Sequence, residues 1–503
     1  MKEQIYNNSL IKKLTLVLSF VVNISLLVLS VFFLPWWVYG VVSLVAGAIF
    51  IVLLSFNRHI QNKLIWLLIV VLLPVFGTTL YLLGKFDGKY LRARSIYQDL
   101  QFRNNEEYSN VEEILKNLKK HNLRQYKIYK TFNSLYGAPV FENTASSFLT
   151  GGAGVFEEVL KELSRAKKYI FIQQYVIKDG EIWKKIFEVL KKKAREGIEI
   201  KLIYDPLGCK DAFDDKLTFK KLENYKIDCI PFKSTPYGFG NHRKMIIVDG
   251  VTAFLGSYNI SDRYTEFSLT DSDWEVSAVR LDGDAVWSLA LGFYNDWKFS
   301  EGRWDSDYIN YKPENYSKSK SNEIVQPILT NPLSNNDETK NAILTLINNA
   351  STKVDIFSSF VNIDGDVLTA IKKAVMGGVE INIILSSITD KEINFAMSRE
   401  QYYSLISSGV NVYELTNNFL RSRMIVVDNE YALVGTIGLD TRWLHLKYEN
   451  AVLINGKETL KDISKYVESV KHNSKLYTLK DYKERPFPQK LVAWFLKLFR
   501  LYY

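Results

Sequence analysis

The chain has 503 residues, with 64 Lys and Arg against 55 Asp and Glu, a formal net charge of +9. At roughly 100–200 residues per domain, this length predicts two to four domains. Hydrophobic residues at 47% and charged residues at 24% exclude a disordered or collagen-like chain. Two cysteines, Cys209 and Cys229, without CxxC spacing exclude a disulfide scaffold and give no zinc or redox motif. Charge alone leaves nucleic acid and membrane both open as partners.

No charged residue occurs in the 44 positions between Lys13 and Arg58. A bilayer core takes ~20 apolar residues per helix. The stretch therefore predicts two spans, 14–34 and 36–56, parted by Pro35. Trp36, Trp37 and Tyr39 suit an interfacial aromatic belt. A third apolar run covers 64–84. A cleaved signal peptide is not expected, because its apolar region would be shorter and end in a small-residue site. Lys2, Lys12 and Lys13 precede the first span, Arg58 and Lys63 link the second to the third, and Lys85, Lys89, Arg92 and Arg94 follow. The positive-inside rule places all three groups in the cytoplasm, which three straight spans do not allow. The expectation is that 64–84 dips and returns at Pro74-Val75-Phe76-Gly77. Residues 1–84 thus read as the transmembrane region of a multi-pass cell-membrane protein, with the later domains on the cytoplasmic face. Residues 85–140 read as a connector, highly charged and helical over 105–130.

Two segments further on repeat one pattern. Ala166–Ile172 and Ala350–Ile356 each run from a helix end into a strand. An amphipathic helix and a Gly-led apolar strand follow each, Gly197–Tyr204 and Gly378–Leu385. Helices alternating with buried strands predict α/β units with a mainly parallel sheet. The two units are placed at 141–310 and 325–480. Residues 486–503 read as a basic amphipathic helix for a membrane surface, with Lys490, Lys497 and Arg500 on one face and Leu491, Trp494, Phe495 and Phe499 elsewhere.

The chemistry sits late in each unit. The first carries His242-Arg243-Lys244-Met245-Ile246-Ile247-Val248-Asp249, then Gly256-Ser257-Tyr258-Asn259. Strand alternation puts His242 and Lys244 on one face. An imidazole beside an ammonium, with Ser257 and Asn259 after a tight Gly, is a phosphate site. Lys neutralises phosphate oxygens, Ser and Asn donate to them, and His attacks or shuttles protons. Asp249 is a candidate to orient an imidazole, as a carboxylate does in a triad.

These residues resemble the HKD motif of the phospholipase D superfamily, and the whole chain looks like a bacterial cardiolipin synthase. Tyr81-Leu82-Leu83-Gly84-Lys85, Gln174-Tyr175-Val176, Tyr204-Asp205-Pro206-Leu207-Gly208 and Phe293-Tyr294-Asn295-Asp296-Trp297 carry the likeness further. The resemblance implies an α/β fold: two tandem phospholipase D-like domains around a pseudo-twofold cleft, preceded by the transmembrane region. It implies that one His attacks phosphatidylglycerol and forms a phosphohistidine, while a second protonates the departing glycerol. A second phosphatidylglycerol then attacks, giving cardiolipin, with no metal or cofactor. By position, His242 would be the nucleophile, Lys244 the phosphate binder and Asp249 the structural acid. Ser257 and Asn259 would make further polar contacts.

The second unit departs from that pattern. It carries Arg421-Ser422-Arg423-Met424-Ile425-Val426-Val427-Asp428, with Gly435-Thr436-Ile437-Gly438 at the same offset. Arg421 stands for the His, Arg423 for the Lys and Gly438 for the Asn. Ser358-Ser359-Phe360-Val361 replaces the family's Thr-Pro-Tyr-Phe. Arg423 keeps a phosphate-binding charge in a planar fork, and Thr436 joins it as a phosphate contact. Arg421, protonated at every ordinary pH, is no general acid–base. Losing that function costs ~10²–10⁴ in rate. Asp428 and Glu449 remain from the second motif. His445 shares a strand face with Lys447 and Glu449 and is a speculative replacement acid. The first unit places Val276 where the second has Glu449, with Glu275 or Asp273 as possible substitutes. Dimerisation would also bring two copies of His242 together.

Three readings follow. The first is a membrane phosphatidyltransferase acting on phosphatidylglycerol. The second is a pseudoenzyme that clamps an anionic phospholipid such as cardiolipin through Arg421 and Arg423, as a homo-oligomer or beside an intact paralogue. The third is a phospholipase or a nuclease-type phosphodiesterase. The apolar N-terminus and the basic C-terminus favour lipid over nucleic acid, and no Lys/Arg and aromatic groove for single strands is evident.

Overall fold

The computed structural model describes residues 2–33, 35, 37–55, 67, 69–85, 95, 108, 110–210, 222–233, 240–265, 274–302, 307–313, 323–334, 337–388, 392–440, 447–486 and 490. His445, Asp273 and, apart from two positions, the expected helix at 486–503 lie outside them. The described residues form two units, one within Met1–Ala93 and one from Arg94 onward.

The N-terminal unit contains helices Lys2–Phe32, Trp37–Ser55 and Pro74–Lys85. Leu14–Phe32 is long and apolar enough to cross a bilayer, and Trp37–Ala48 is a shorter apolar stretch. Asn23 is fully buried among these helices. Its amide donates to the Tyr39 hydroxyl at 3.2 Å, and its carbonyl accepts from Val75 N at 3.1 Å. Tyr39 donates in turn to Leu72 O at 2.8 Å. The Asn23 and Tyr39 polar groups are thus satisfied inside an apolar bundle, as a membrane interior requires. At the expected reversal, Leu73 N bonds Ile69 O at 2.8 Å and Gly77 N bonds Leu73 O at 2.6 Å, while Val75 N turns to Asn23, so the helical ladder is interrupted around Pro74 and resumes in Pro74–Lys85. Pro74 stands at a helix start, where its missing N–H costs little.

In the second unit, one sheet contains β1 (Thr144–Thr150), β2 (Tyr169–Gln174), β3 (Glu199–Tyr204), β4 (Asp228–Pro231), β6 (Met245–Val248), β7 (Thr252–Gly256) and β9 (Ser277–Gly283). Two short strands, β5 (Gly240–Asn241) and β8 (Trp274–Glu275), stand apart from it. The second sheet contains β10 (Val325–Thr330), β11 (Lys353–Phe357), β12 (Glu380–Ser386), β13 (Asn411–Leu415), β15 (Met424–Val427), β16 (Tyr431–Gly435), β17 (Lys447–Ile454) and β18 (Ser474–Tyr477), with short β14 (Phe419–Leu420) outside it. The orders are β1-β9-β7-β6-β2-β3-β4 and β10-β17-β16-β15-β11-β12-β13-β18. They are the same arrangement twice, with β18 added.

The sheets are mixed, which corrects the mainly parallel expectation. β2, β3 and β4 run parallel, whereas β2–β6, β6–β7, β7–β9 and β9–β1 are antiparallel. The reason is local. Asp249 and Gly250 both have positive φ, as do Asp428 and Asn429. These are the conformations that a tight type I′ hairpin demands, so β6–β7 and β15–β16 fold back directly.

Each half also pairs across to the other. β5 lies parallel to β17, with Gly240 opposite Lys447 and Asn241 opposite Tyr448. β8 lies parallel to β14, with Trp274 opposite Phe419. The two core clusters are separate, one around Ile170, Ile200 and Ile246 and the other around Ile356, Ile383 and Ile425. Helices Val111–His121 and Leu123–Tyr136 bury Ile114, Leu118, Ile128 and Phe132 in the second core. That part of the expected connector is packed structure of the second half.

The two hairpin carboxylates do equivalent work away from the cleft. Asp249 accepts from the backbone N–H groups of Lys167, Lys168 and Tyr169 at 2.7–2.9 Å. Asp428 accepts from those of Ser351, Thr352 and Lys353 at 2.7–2.9 Å and also pairs with Arg124. Burial alone would raise the Asp428 carboxyl, but these bonds outweigh it and hold the group at about 2. A depressed carboxylate stabilises the fold above its unfolded value near ~4 and loses that contribution as pH falls toward 2. Asp428→Ala should therefore destabilise the protein by ~3 kcal/mol near neutral pH, since several charged hydrogen bonds are lost together. Denaturation of wild type and variant across pH checks this: the gap should narrow below pH ~4.

Candidate active site

His242, Arg243 and Lys244 join β5 to β6. The chain is extended there, so side chains alternate. His242 and Lys244 face the cleft between the halves, and Arg243 faces away. The Arg243 guanidinium donates to Asp296 at 2.6 Å and to Thr330 O at 2.9 Å, and it approaches Glu449 O at 3.4 Å. Asp296 also accepts from Gln173 at 2.6 Å. The ion pair lies within the first half and fixes the guanidinium, whose bonds to Thr330 O and Glu449 O fasten the first half to the β10–β17 edge of the second.

The cross-half pairing fixes what His242 meets. Its backbone N–H donates to Tyr448 O at 2.9 Å. Its Nδ1 lies 2.9 Å from Glu449 Oε2, the next residue along β17. Glu449 therefore orients the imidazole. Asp249, a candidate for that role in the sequence, is occupied by backbone at the far end of β6. With Nδ1–H donated to Glu449, the Nε2 lone pair is left for attack. Lys244 Nζ donates to His242 O at 2.9 Å, and Asn450 brackets the Lys244 backbone at 2.9 and 3.1 Å.

Electrostatics keep the imidazole neutral. Burial lowers His242 well below its usual value, and Lys244, Arg423, Lys447 and Arg421 push it the same way. Burial also lowers Lys244, helped by Arg423. Burial raises Glu449 to about 7, against the pull of Arg423 and Lys244. Low-dielectric surroundings disfavour the charged form of each group.

The second-motif residues occupy the facing wall. Arg423 Nη1 donates to Thr436 O at 2.7 Å and lies 3.4 Å from His242 Nδ1. Burial draws Arg423 down to about 10, so it remains a cation at neutral pH. A Cβ on Gly438 would stand 3.4 Å from Arg423 Cδ and 3.2 Å from Ser358 Oγ. The absent side chain makes room for the longer arginine. Arg421 is stacked on Trp274 at 5.1 Å and Phe419 at 5.4 Å, and its buried Nε has no hydrogen-bond partner among the described residues.

Other expected contacts turn inward. Ser257 Oγ exchanges hydrogen bonds with the Ser277 backbone at 3.2 Å, and Thr436 Oγ1 does so with the Asn450 backbone at 3.0 and 3.1 Å. Asn259 donates to the Tyr264 hydroxyl at 2.6 Å, while its buried Oδ1 has no partner. The strand register makes Val276 the counterpart of Glu449, because Gly256 faces Ala278 as Gly435 faces Ala451. Glu275 accepts from Asn418 at 3.1 Å and does not take the place of the lost acid. Among the described residues no His, Cys, Asp and Glu group is arranged to hold a metal. The sequence reasoning gave no role to Arg243, Lys447 or Asn450. The signal available for Arg243 was strand alternation, which sends it opposite to His242.

Comparison with known proteins agrees with this architecture. The family described as "Cardiolipin synthase, PLD-like domain" matches residues 159–297 and 343–471, together more than half of the chain. The family described as "Phospholipase_D-nuclease N-terminal" matches residues 43–84. A cardiolipin synthase of Alkalihalophilus pseudofirmus is 29% identical over 500 residues, covering 95% of this chain and 97% of that protein. An uncharacterized protein of Streptococcus mutans serotype c is 28% identical over 440 residues, covering 86% and 95%. The phosphatidylserine synthase of Haemophilus influenzae is 17% identical and superposes with a TM-score of 0.57, covering 75% of this chain and 99% of that one. The chain belongs to the cardiolipin synthase family of phospholipase D-like proteins.

Proposed function

We propose that this protein is a membrane-bound phosphatidyltransferase whose nucleophile is His242 and whose donor is phosphatidylglycerol. The observation that carries the reading is the His242–Glu449 contact, at 2.9 Å across the two halves. It leaves Nε2 free, while burial and the surrounding cations keep the imidazole neutral. Lys244, Arg423 and Arg421 hold the phosphate, and the phosphatidyl group passes through a phosphohistidine to the hydroxyl of a second lipid. Asp249 and Asp428 are structural acids. The domain limits follow the sequence: a membrane region at 1–84, catalytic halves at 141–310 and 325–480, and a basic helix at 486–503 on the bilayer surface. Apolar helix Leu14–Phe32 supports membrane association. Flanking basic residues support a multi-pass arrangement with the cleft on the cytoplasmic side.

The stacked Arg421 favours a second reading. A guanidinium fixed on Trp274 cannot protonate a leaving alcohol, so a chain that only binds anionic phospholipid, alone or with an intact paralogue, is the alternative. Lipid analysis of cells lacking cardiolipin separates the two. Transfer predicts cardiolipin that appears with wild type and falls at least 10²-fold in His242→Ala. Binding alone predicts no product, with lipid retention that survives His242→Ala and is lost in Arg423→Met.

Two further outcomes follow from the electrostatics. A phosphodiester with a nitrophenyl leaving group needs no acid, so its cleavage reports the nucleophile. Because His242 is held below 6.5, the unprotonated form persists at lower pH, and the acid limb of kcat/KM should lie below pH 6.5. Glu449→Gln keeps the shape but removes the carboxylate that balances a cationic phosphohistidine. Its kcat should fall ~10²-fold or more with little change in KM, measured by steady-state kinetics.

A further inference from the structure

With Arg421 in place, the leaving alcohol needs another proton donor. In-line attack from His242 Nε2 sets the departing oxygen on the far side of phosphorus, toward Arg421. Glu449 is behind the imidazole, on Nδ1. Lys244 is directed at the His242 carbonyl.

Tyr175 remains. It follows β2 at the cleft end of the first sheet and is half-buried. Its ring meets the His242 ring edge-on, with centroids 5.0 Å apart. Lys244 Nζ and Lys447 Nζ stand 5.5 and 5.6 Å from the ring centroid. The ring is braced from below, since a Cβ on Gly208 would come within 3.0 Å of Tyr175 Cδ2. No hydrogen bond engages the Tyr175 hydroxyl among the described residues. The corresponding position of the second half, counted from Tyr169 and Lys353 on their matching aspartates, is Ser359, so that half has no phenol at this position.

We propose that the Tyr175 hydroxyl is the general acid–base of this cleft, in the role that Arg421 cannot fill. The inference rests on the transferase reading above. As Nε2 bonds to phosphorus and the P–O bond to glycerol breaks, Tyr175 gives its proton to the departing oxygen. The resulting phenolate lies in the field of the Arg421 guanidinium, the cation that draws the phenol down. The hydroxyl of the incoming lipid then returns a proton to Tyr175 as its oxygen displaces Nε2, restoring neutral His242 and the phenol. Burial, then Asp205, raise the phenol to about 12, while Arg421 pulls it down. That value remains below those of simple alcohols, so transfer to an alkoxide is downhill.

The full-length protein in detergent, with Tyr175→Phe, Lys447→Met and Arg421→His variants, tests this. With phosphatidylglycerol, Tyr175→Phe should lose ~10²–10⁴ in kcat. With the nitrophenyl diester its loss should be at least tenfold smaller, which a merely structural role would not produce. Adding Arg421→His to Tyr175→Phe should recover part of the lipid activity by restoring an imidazole donor. Equal losses on both substrates, or the leaving-group pattern in Lys447→Met instead, would overturn the proposal. Absence of any His242-dependent nitrophenyl release in wild type would overturn the transferase reading itself.

Discussion

The contact between His242 and Glu449 depends on two residues of parallel pairing, Gly240–Asn241 against Lys447–Tyr448. That pairing sets the register of β17 against the strand before His242. The neighbouring carboxylate then falls on Nδ1, and Arg243, held by Asp296, locks the register from behind through Thr330 O and Glu449 O. Neither half holds the imidazole in a defined tautomer without the other. Breaking a buried ion pair by removing one member is strongly destabilising, so Arg243 ties stability and chemistry to the same interface.

The two halves share strand order and hairpin geometry yet have diverged in the cleft, and the divergences support one another. Arg423 is longer than lysine, and Gly438 opens the space it fills. Arg421 needs no carboxylate to fix a tautomer, and the position that would provide one is Val276. Its guanidinium takes its support from aromatic faces instead. The structural acids were kept on both sides, because Asp249 and Asp428 hold backbone N–H groups whose loss would be costly whatever the cleft does.

Much of this was legible in the sequence. The spacing of His242, Lys244, Asp249 and Ser257 marked the site, and counting from Gly283 and Gly456 matched Val276 with Glu449. The mixed sheet was not read, although Asp249-Gly250 is a hairpin signal, because buried apolar strands read alike in parallel and antiparallel company. Two-residue strands such as β5 and β14 have no periodicity to detect, so the cross-half pairing was not. Proline marks a helix start as readily as a turn, so the helix that begins at Pro74 has no separate signal in the sequence. The fixed stacking of Arg421 depends on Trp274, far away in the chain, and no local pattern announces it.

The reciprocal short strands also order events in time. Glu449 is 207 residues downstream of His242. At ~5–20 residues per second, a ribosome needs ~10–40 s to make that interval. Through it, the nascent first half has His242 but not the strand that seats it. The imidazole gains its orienting carboxylate only when the second half has been synthesised and docked.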